Sequence, residues 1–102
     1  MDGMKTKDEI QATLKQEKER LFREWPIASL ALFGSVARGD QGPNSDIDIL
    51  VEFNGPIGWN IVALAEELES ILGAKVDLIP RQGIKQRYWE RISPEVWELV
   101  RA

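Results

Sequence analysis

The sequence predicts an α/β domain of the α+β kind, in which a small mixed β-sheet is flanked by helices. Three short apolar runs are bounded by glycine and proline, which is typical of strands. The segments around them carry apolar residues at helical spacing. The predicted order is α-β-α-β-α-β-α. A length of 102 residues, 43% of them hydrophobic, fits a single domain over 1–102.

The first half of the chain predicts a helix, a strand and a loop in that order. Apolar side chains at helical spacing predict a helix over about 7–25, which Pro26 ends. The run IASLALF predicts a strand over 27–33, which Gly34 ends. The segment 35–45 contains enough glycine, proline and asparagine to allow one helical turn at most before a loop.

The second half repeats this alternation of strand and helix. The run DIDILVEF over 46–53 alternates, with its isoleucines, Val51 and Phe53 on one face. An amphipathic helix is predicted over 59–72, and the run AKVDLI predicts a third strand over 74–79. Together, 27–80 form the core of the predicted domain.

The C-terminal segment 84–102 is predicted to be a helical tail. Pro94 suits the first turn of a final helix over PEVWELVRA. Tyr88, Trp89 and Trp97 make this tail aromatic, and Trp59 precedes it in the chain. Such aromatic residues either belong to the core or form a docking surface for a partner. Tyr88 is also a conceivable acceptor of self-modification, although no sequence pattern points to it.

The composition excludes several kinds of chemistry. The chain has no cysteine and no histidine, so disulfides, thiolate nucleophiles and serine–histidine triads are absent. Any catalysis must use carboxylates, hydroxyls and bound metal. The net charge of −4 argues against direct nucleic-acid binding. The charged N-terminal segment and the lack of a long apolar run predict a cytoplasmic protein that does not bind membranes.

Two aspartates interrupt the strand over 46–53. Because side chains alternate along a strand, Asp46 and Asp48 lie on one face and repel each other. A divalent cation between them removes the conflict, since Mg²⁺ binds one or two carboxylates together with substrate phosphates. The alternative is a solvent-exposed strand face that happens to be acidic.

A third aspartate, Asp77, lies in the next predicted strand, 29 residues after Asp48. The helix between the two strands allows them to lie side by side, and the apolar neighbours of Asp77 then place it on the opposite face from the core. Three aspartates on neighbouring strands predict a two-metal site. Alternatively, Asp77 is an exposed acid that pairs with Lys75 or Arg81.

The Gly34-Ser35 turn is a candidate phosphate site. Glycine allows the backbone to approach a ligand closely, and N–H groups at a helix start attract anions. Ser35 adds a hydroxyl, and Arg38 offers a planar guanidinium to a phosphate. On its own, a Gly-Ser pair is more often an ordinary turn with a serine N-cap. Its position before the carboxylate pair favours the phosphate site.

These residues carry a family resemblance. Gly34-Ser35, ten residues and then Asp46-Ile47-Asp48 resemble the GS-x10-D-x-D signature of the DNA polymerase beta-like nucleotidyltransferases. The longer pattern, FGSVARGD followed by SDIDILV, is similar to the minimal nucleotidyltransferase (MNT) subgroup, whose members typically act as antitoxins beside a HEPN-domain toxin. The resemblance covers about 27–80.

The resemblance implies roles for the candidate residues. Asp46 and Asp48 would hold two Mg²⁺ ions, and Asp77 would complete the site and help to activate the incoming hydroxyl. Gly34 and Ser35 would hold the β- and γ-phosphates of ATP, with help from Arg38. The implied reaction transfers AMP from ATP to a hydroxyl and releases pyrophosphate.

The resemblance also implies a partner. The acceptor would be a tyrosine of a cognate HEPN toxin, which AMP transfer silences in a type VII-like toxin–antitoxin pair and with which the chain would form a hetero-oligomer. Two alternatives stay open. In the first, the chain would be a non-catalytic antitoxin that neutralises its partner by contact alone. In the second, it would transfer a nucleotide to a small molecule or an RNA.

Overall fold

The computed structural model describes residues 6–42, 44–56 and 60–102. Eight elements follow in the order α1 Lys7–Glu24, β1 Ile27–Phe33, α2 Gly34–Arg38, β2 Ile47–Phe53, α3 Ile61–Leu72, β3 Val76–Pro80, α4 Gln86–Ile92 and β4 Trp97–Arg101. The predicted mixed sheet flanked by helices is confirmed. Trp59, the predicted start of the third helix, lies outside the described residues.

The four strands form one sheet in the order β3-β2-β1-β4. β1 is antiparallel to both β2 and β4, whereas β2 and β3 are parallel. A parallel pair needs a crossover connection, and α3 provides it between β2 and β3. The crossover places the first residues of β2 beside the first residues of β3, so that Ile47 is paired with Val76.

The predicted final helix over PEVWELVRA is wrong. Ser93–Glu95 forms a single 3-10 turn with Pro94 near its start, and Trp97–Arg101 is the strand β4. Without β4, the N–H and C=O groups along one edge of β1 would lack partners, and β4 supplies them. Tertiary pairing therefore decides the conformation of a segment whose local composition also suits a helix.

The main core lies on one face of the sheet, under α1 and α3. Each of these helices contributes three fully or almost fully buried side chains: Ile10, Leu14, Leu21, Leu64, Leu68 and Leu72. They pack against alternate residues of the strands, including Leu30, Leu32, Ile47, Ile49 and Val51. The period-two prediction for β2 is thus confirmed for its apolar face.

The second face of the sheet has a smaller apolar cluster. Ala31, Phe33 and Leu50 lie on this face and pack against Ile92 of α4, with Trp89 partly buried beside them. Because α4 has only seven residues, it covers only part of the face. The uncovered part begins where β1 ends and β2 starts, and this opening holds the candidate site.

Candidate active site

Asp48 lies at the centre of the candidate site because its position in the sheet brings two other elements next to it. In the register of the sheet, Asp48 is paired with Phe33 of β1 on one side and with Asp77 of β3 on the other. The predicted adjacency of Asp48 and Asp77 is therefore confirmed. Asp46 precedes the first residue of β2 and is exposed.

Asp77 lies on the side of β3 away from the main core. Its neighbours Val76 and Leu78 belong to or pack against the main core, and Asp77 itself is exposed. Among the described residues, no ion pair joins Asp77 to Lys75 or to Arg81. The guanidinium of Arg81 instead lies 3.8 Å from the centre of the Trp89 ring. The purely structural interpretation of Asp77 as a salt-bridge partner thus finds no support.

The surroundings of Asp48 disfavour the charged form of its carboxyl group. Desolvation by burial raises the pKa of Asp48, and the charges of Asp77 and Asp46 raise it further. Arg38 acts in the opposite direction, while Glu95 adds to the increase. A cation beside Asp48 would relieve this conflict.

The donor set fits Mg²⁺, which takes one or two protein carboxylates and fills its other positions with phosphate oxygens and water. Asp48 and Asp77 supply those carboxylates, with Asp46 close enough to affect the pKa of Asp48. Over the described parts of the chain, no three acidic side chains come close enough to hold a metal ion by themselves. A metal ion here would therefore depend on ligands from the substrate.

Gly34 connects β1 to α2 directly against Asp48. Its φ of +75° lies in the left-handed region that favours glycine. A Cβ at this position would overlap the Asp48 carboxylate and lie 3.1 Å from its Cγ. Only glycine therefore allows the turn to lie this close to Asp48, which explains in physical terms why a glycine precedes Ser35 here.

The N–H of Gly34 donates a hydrogen bond of 2.8 Å to Oε2 of Glu95, in the 3-10 turn before β4. Arg38, at the end of α2, donates to both carboxylate oxygens of Glu95 at 3.2 and 3.3 Å and to Asp40 at 3.1 Å. These bonds, first the one to Asp40 and then those to Glu95, raise the pKa of the Arg38 guanidinium. Glu95 thus links the turn to Arg38.

Asp48, Asp77 and Glu95 line one cavity of about 330 Å³. Four of the six predicted site residues contribute to it: Gly34, Arg38, Asp48 and Asp77. Ser35 and Asp46 each lie next to or near these residues in the chain, and Ser35 is half-buried. The structure therefore brings Gly34, Arg38, Asp48 and Asp77 together in one cavity, whereas Ser35 and Asp46 are not among the residues that line it.

Sequence reasoning missed part of the cavity wall. Glu95 comes from the turn before β4, and Tyr88, Arg91 and Ile92 come from α4. The aromatic character of the tail drew attention to Tyr88, but no spacing pattern pointed to Glu95 or Arg91. Glu95 lies directly before β4, which pairs with β1, and α4 packs on the sheet through Ile92 and Trp89, so the site depends on contacts between segments distant in the chain.

Comparisons with known proteins agree with this geometry. The family model described as a nucleotidyltransferase domain matches residues 14–98. The chain is 34% identical over 95 residues to the protein adenylyltransferase MntA of Thermococcus cleftensis, covering 92% of this chain and 96% of that protein. It is 48% identical over 95 residues to a protein of Methanocaldococcus jannaschii provisionally named a protein adenylyltransferase, covering 90% and 95% of the two chains.

Solved structures share the fold. A toxin–antitoxin crystal structure with AMP-PNP has a chain that superimposes with a TM-score of 0.69 at 26% identity, covering 86% of this chain and 73% of that one. The MNT antitoxin in a complex with the tri-AMPylated HEPN toxin of Shewanella oneidensis gives 0.65 at 22% identity, covering 91% and 73%. At that identity the second likeness shows the fold alone. The chain belongs to the nucleotidyltransferase domain family, and its relatives within that family include the protein adenylyltransferases.

Proposed function

We propose that the chain is a Mg²⁺-dependent protein adenylyltransferase that transfers AMP from ATP to a tyrosine hydroxyl of a HEPN-domain toxin and thereby acts as its antitoxin. The observation that carries the proposal is the pairing of Asp48 with Asp77 beside the Gly34 turn in a single cavity. The names of the relatives and of the structural neighbours supply the reaction and the kind of partner. A cytoplasmic location stays a prediction.

The aspartates of the site would bind the metal ion, and residues of the Gly34-Ser35 turn and α2 would bind the phosphates. Asp48 and Asp77 lie side by side on the parallel strands β2 and β3 and would hold Mg²⁺, with Asp46 as an additional carboxylate. A second ion stays a prediction. Bound Mg²⁺ would neutralise the phosphate charge and orient the α-phosphate. Ser35 would contact the β- and γ-phosphates through its hydroxyl, and Arg38 through its guanidinium.

The backbone N–H of Gly34 is not free to bind a phosphate, so we assign Gly34 a different role. Its N–H is engaged by Glu95, so a phosphate that used this donor would have to displace the carboxylate. We therefore assign Gly34 the task of bringing the turn against Asp48, and we assign the phosphate contacts of the turn to Ser35. Glu95 keeps the turn and Arg38 in place.

In the reaction, the acceptor hydroxyl attacks the α-phosphorus of ATP. A new phosphodiester bond forms, the bond between the α-phosphorus and its bridging oxygen breaks, and pyrophosphate leaves. The acceptor loses its proton to a nearby carboxylate, for which Asp77 is exposed and faces the cavity. Holding both reactants in one cavity removes much of the entropic barrier to their meeting.

The position of a radioactive label in ATP tests the reaction type. The tagged chain is purified with the HEPN-domain protein that accompanies it, and Mg²⁺ is added with ATP labelled on the α- or the γ-phosphate. We expect label from the α-phosphate only on the partner. Asp48→Asn should abolish the labelling, whereas Asp8→Asn, an exposed change in the first turn of α1, should retain it. Label from the γ-phosphate, or equal labelling by both variants, would contradict the proposal.

A further inference from the structure

Tyr88 is the only tyrosine in the chain, and the structure places it in the wall of the candidate active site. It lies in α4 and shares the cavity of about 330 Å³ with Asp48 and Asp77. Tyr88 is 42% exposed, and among the described residues Val62 is the one large hydrophobic residue that is more exposed. Tyr88 is therefore a cavity-lining residue and not part of the core.

The packing of α4 explains why Tyr88 faces the opening. Trp89 and Ile92 belong to the apolar cluster on the second face and attach α4 to the sheet, and Arg81 stacks on the Trp89 ring. Tyr88 precedes Trp89 by one position and so projects from a different side of the helix. Its hydroxyl has no hydrogen-bond partner among the described residues. The phenol is thus both accessible and uncommitted.

Arg91 gives the same helix face a positive charge. It lies three residues after Tyr88, one helical turn away, and it also lines the cavity. Elsewhere in the cavity wall the charged side chains are Arg38, Asp48, Asp77 and Glu95. A phosphodiester formed on the Tyr88 oxygen would lie in the cavity that Arg91 also lines.

We propose that Tyr88 is an AMP acceptor within its own molecule. The proposal rests on the proposed function, because the same Mg²⁺–ATP is the donor. The phenolic oxygen of Tyr88 attacks the α-phosphorus, and an oxygen–phosphorus bond forms. The bond from the α-phosphorus to the bridging oxygen breaks, pyrophosphate leaves with the bonding electron pair, and the phenolic proton passes to a carboxylate of the site. The product is a tyrosine–AMP phosphodiester in the wall of the cavity.

The chain alone, incubated with Mg²⁺ and ATP, tests this inference by intact mass and by peptide mapping. We expect one AMP unit, located on the peptide that contains Tyr88. Tyr88→Phe removes only the hydroxyl and should abolish the addition, with circular dichroism and thermal unfolding confirming that the variant is folded. Asp48→Asn should abolish it too. Because the transfer is intramolecular, its first-order rate should not change over a hundredfold dilution.

The outcomes separate this inference from the proposed function. Labelling of the HEPN-domain partner without any AMP on Tyr88 overturns the inference and leaves the proposed function standing. The inference is equally wrong if folded Tyr88→Phe gains AMP as fast as the unaltered chain, or if the rate falls in proportion to dilution. If neither the chain nor the partner gains AMP, both proposals fail.

Discussion

The backbone N–H of Gly34 donates a 2.8 Å hydrogen bond to the carboxylate of Glu95, 61 residues later in the chain. The same carboxylate pairs with Arg38 at 3.2 Å. One side chain from the turn before β4 therefore fixes both the backbone of the Gly34-Ser35 turn and the guanidinium that faces the cavity.

Replacing Glu95 should disturb both contacts. Glu95→Ala leaves the part-buried Gly34 N–H without its partner, and we expect the free energy of unfolding to fall by about 1–3 kcal/mol. We expect AMP transfer to fall as well. Glu95→Gln retains an acceptor for Gly34 but loses the charge opposite Arg38. Its stability and its AMP transfer rate should therefore lie between those of Glu95→Ala and those of the unaltered chain. Chemical denaturation and transfer rates measure these effects, with the exposed Glu98→Gln as control. Unchanged transfer in Glu95→Ala would contradict the assigned role.

Two glycines with almost the same backbone conformation form a matched pair. Gly34 and Gly39 have φ of +75° and +80°, but a Cβ at Gly39 would meet no atom within 4 Å. Gly39→Ala should therefore cost only the left-handed strain of about 1–2 kcal/mol. Gly34→Ala should cost more, because its methyl group also displaces the Asp48 carboxylate, and it should abolish AMP transfer. Equal losses of stability and activity in the two variants would show that the contact with Asp48 is unimportant.

The ionised carboxylate of Asp48 should lower the free energy of unfolding when neither metal nor nucleotide is bound. Burial, Asp77 and Asp46 raise its pKa above the ordinary value of 3.8, so the folded state binds this proton more tightly than the unfolded state does. The free energy of unfolding should therefore fall as the pH rises from about 4 through the raised pKa, and the loss persists at neutral pH. Asp48→Asn should be more stable than the unaltered chain at pH 7.

Denaturation at several pH values, with and without Mg²⁺, measures the effect of Asp48. The stability advantage of Asp48→Asn should shrink as the pH falls through the raised pKa of Asp48 and should be lost below about 4, where the unaltered carboxyl is protonated in both states. Mg²⁺ added together with ATP should stabilise the unaltered chain more than the variant, since only the unaltered chain keeps the Asp48 carboxylate as a ligand. A variant that is less stable at every pH would contradict the electrostatic account.

β4 should be essential to the fold. Leu99 is 2% exposed within the main core, and the side-chain amide of Gln11 in α1 donates to the carbonyl of Leu99 at 3.1 Å. Leu99→Ala should lower the free energy of unfolding by about 2–5 kcal/mol. Val62→Ala, at a position 63% exposed, should change it by about 0.5 kcal/mol or less. Similar effects for the two changes would place Leu99 outside the core.

The sequence was sufficient to predict the elements that depend on local patterning. Alternation along β2 placed Asp48 on the face away from the main core, and the helix between Asp48 and Asp77 predicted adjacent strands. The structure confirms both predictions. These features follow from side-chain periodicity and from the geometry of a crossover, which act over short stretches of chain.

The β4 strand could not be derived in the same way. Glutamate and leucine in WELV favour a helix locally, and Pro94 suits a helix start, so the composition misled the prediction. The β-branched and aromatic residues Val96, Trp97 and Val100 were the available signal for a strand. The contact of Glu95 with Gly34 depends on this strand, and no local pattern encodes it.

The proposed function depends on AMP transfer to a partner at the Asp48–Asp77 site. The most direct test is the intact mass of the copurified HEPN-domain protein after incubation with this chain, Mg²⁺ and ATP. We expect mass increases of whole AMP units on a tyrosine of that protein. We expect no increase with Asp48→Asn, provided that this variant remains folded and bound to the partner. A partner whose mass stays unchanged with the unaltered chain, or whose mass increases equally with Asp48→Asn, would contradict the account.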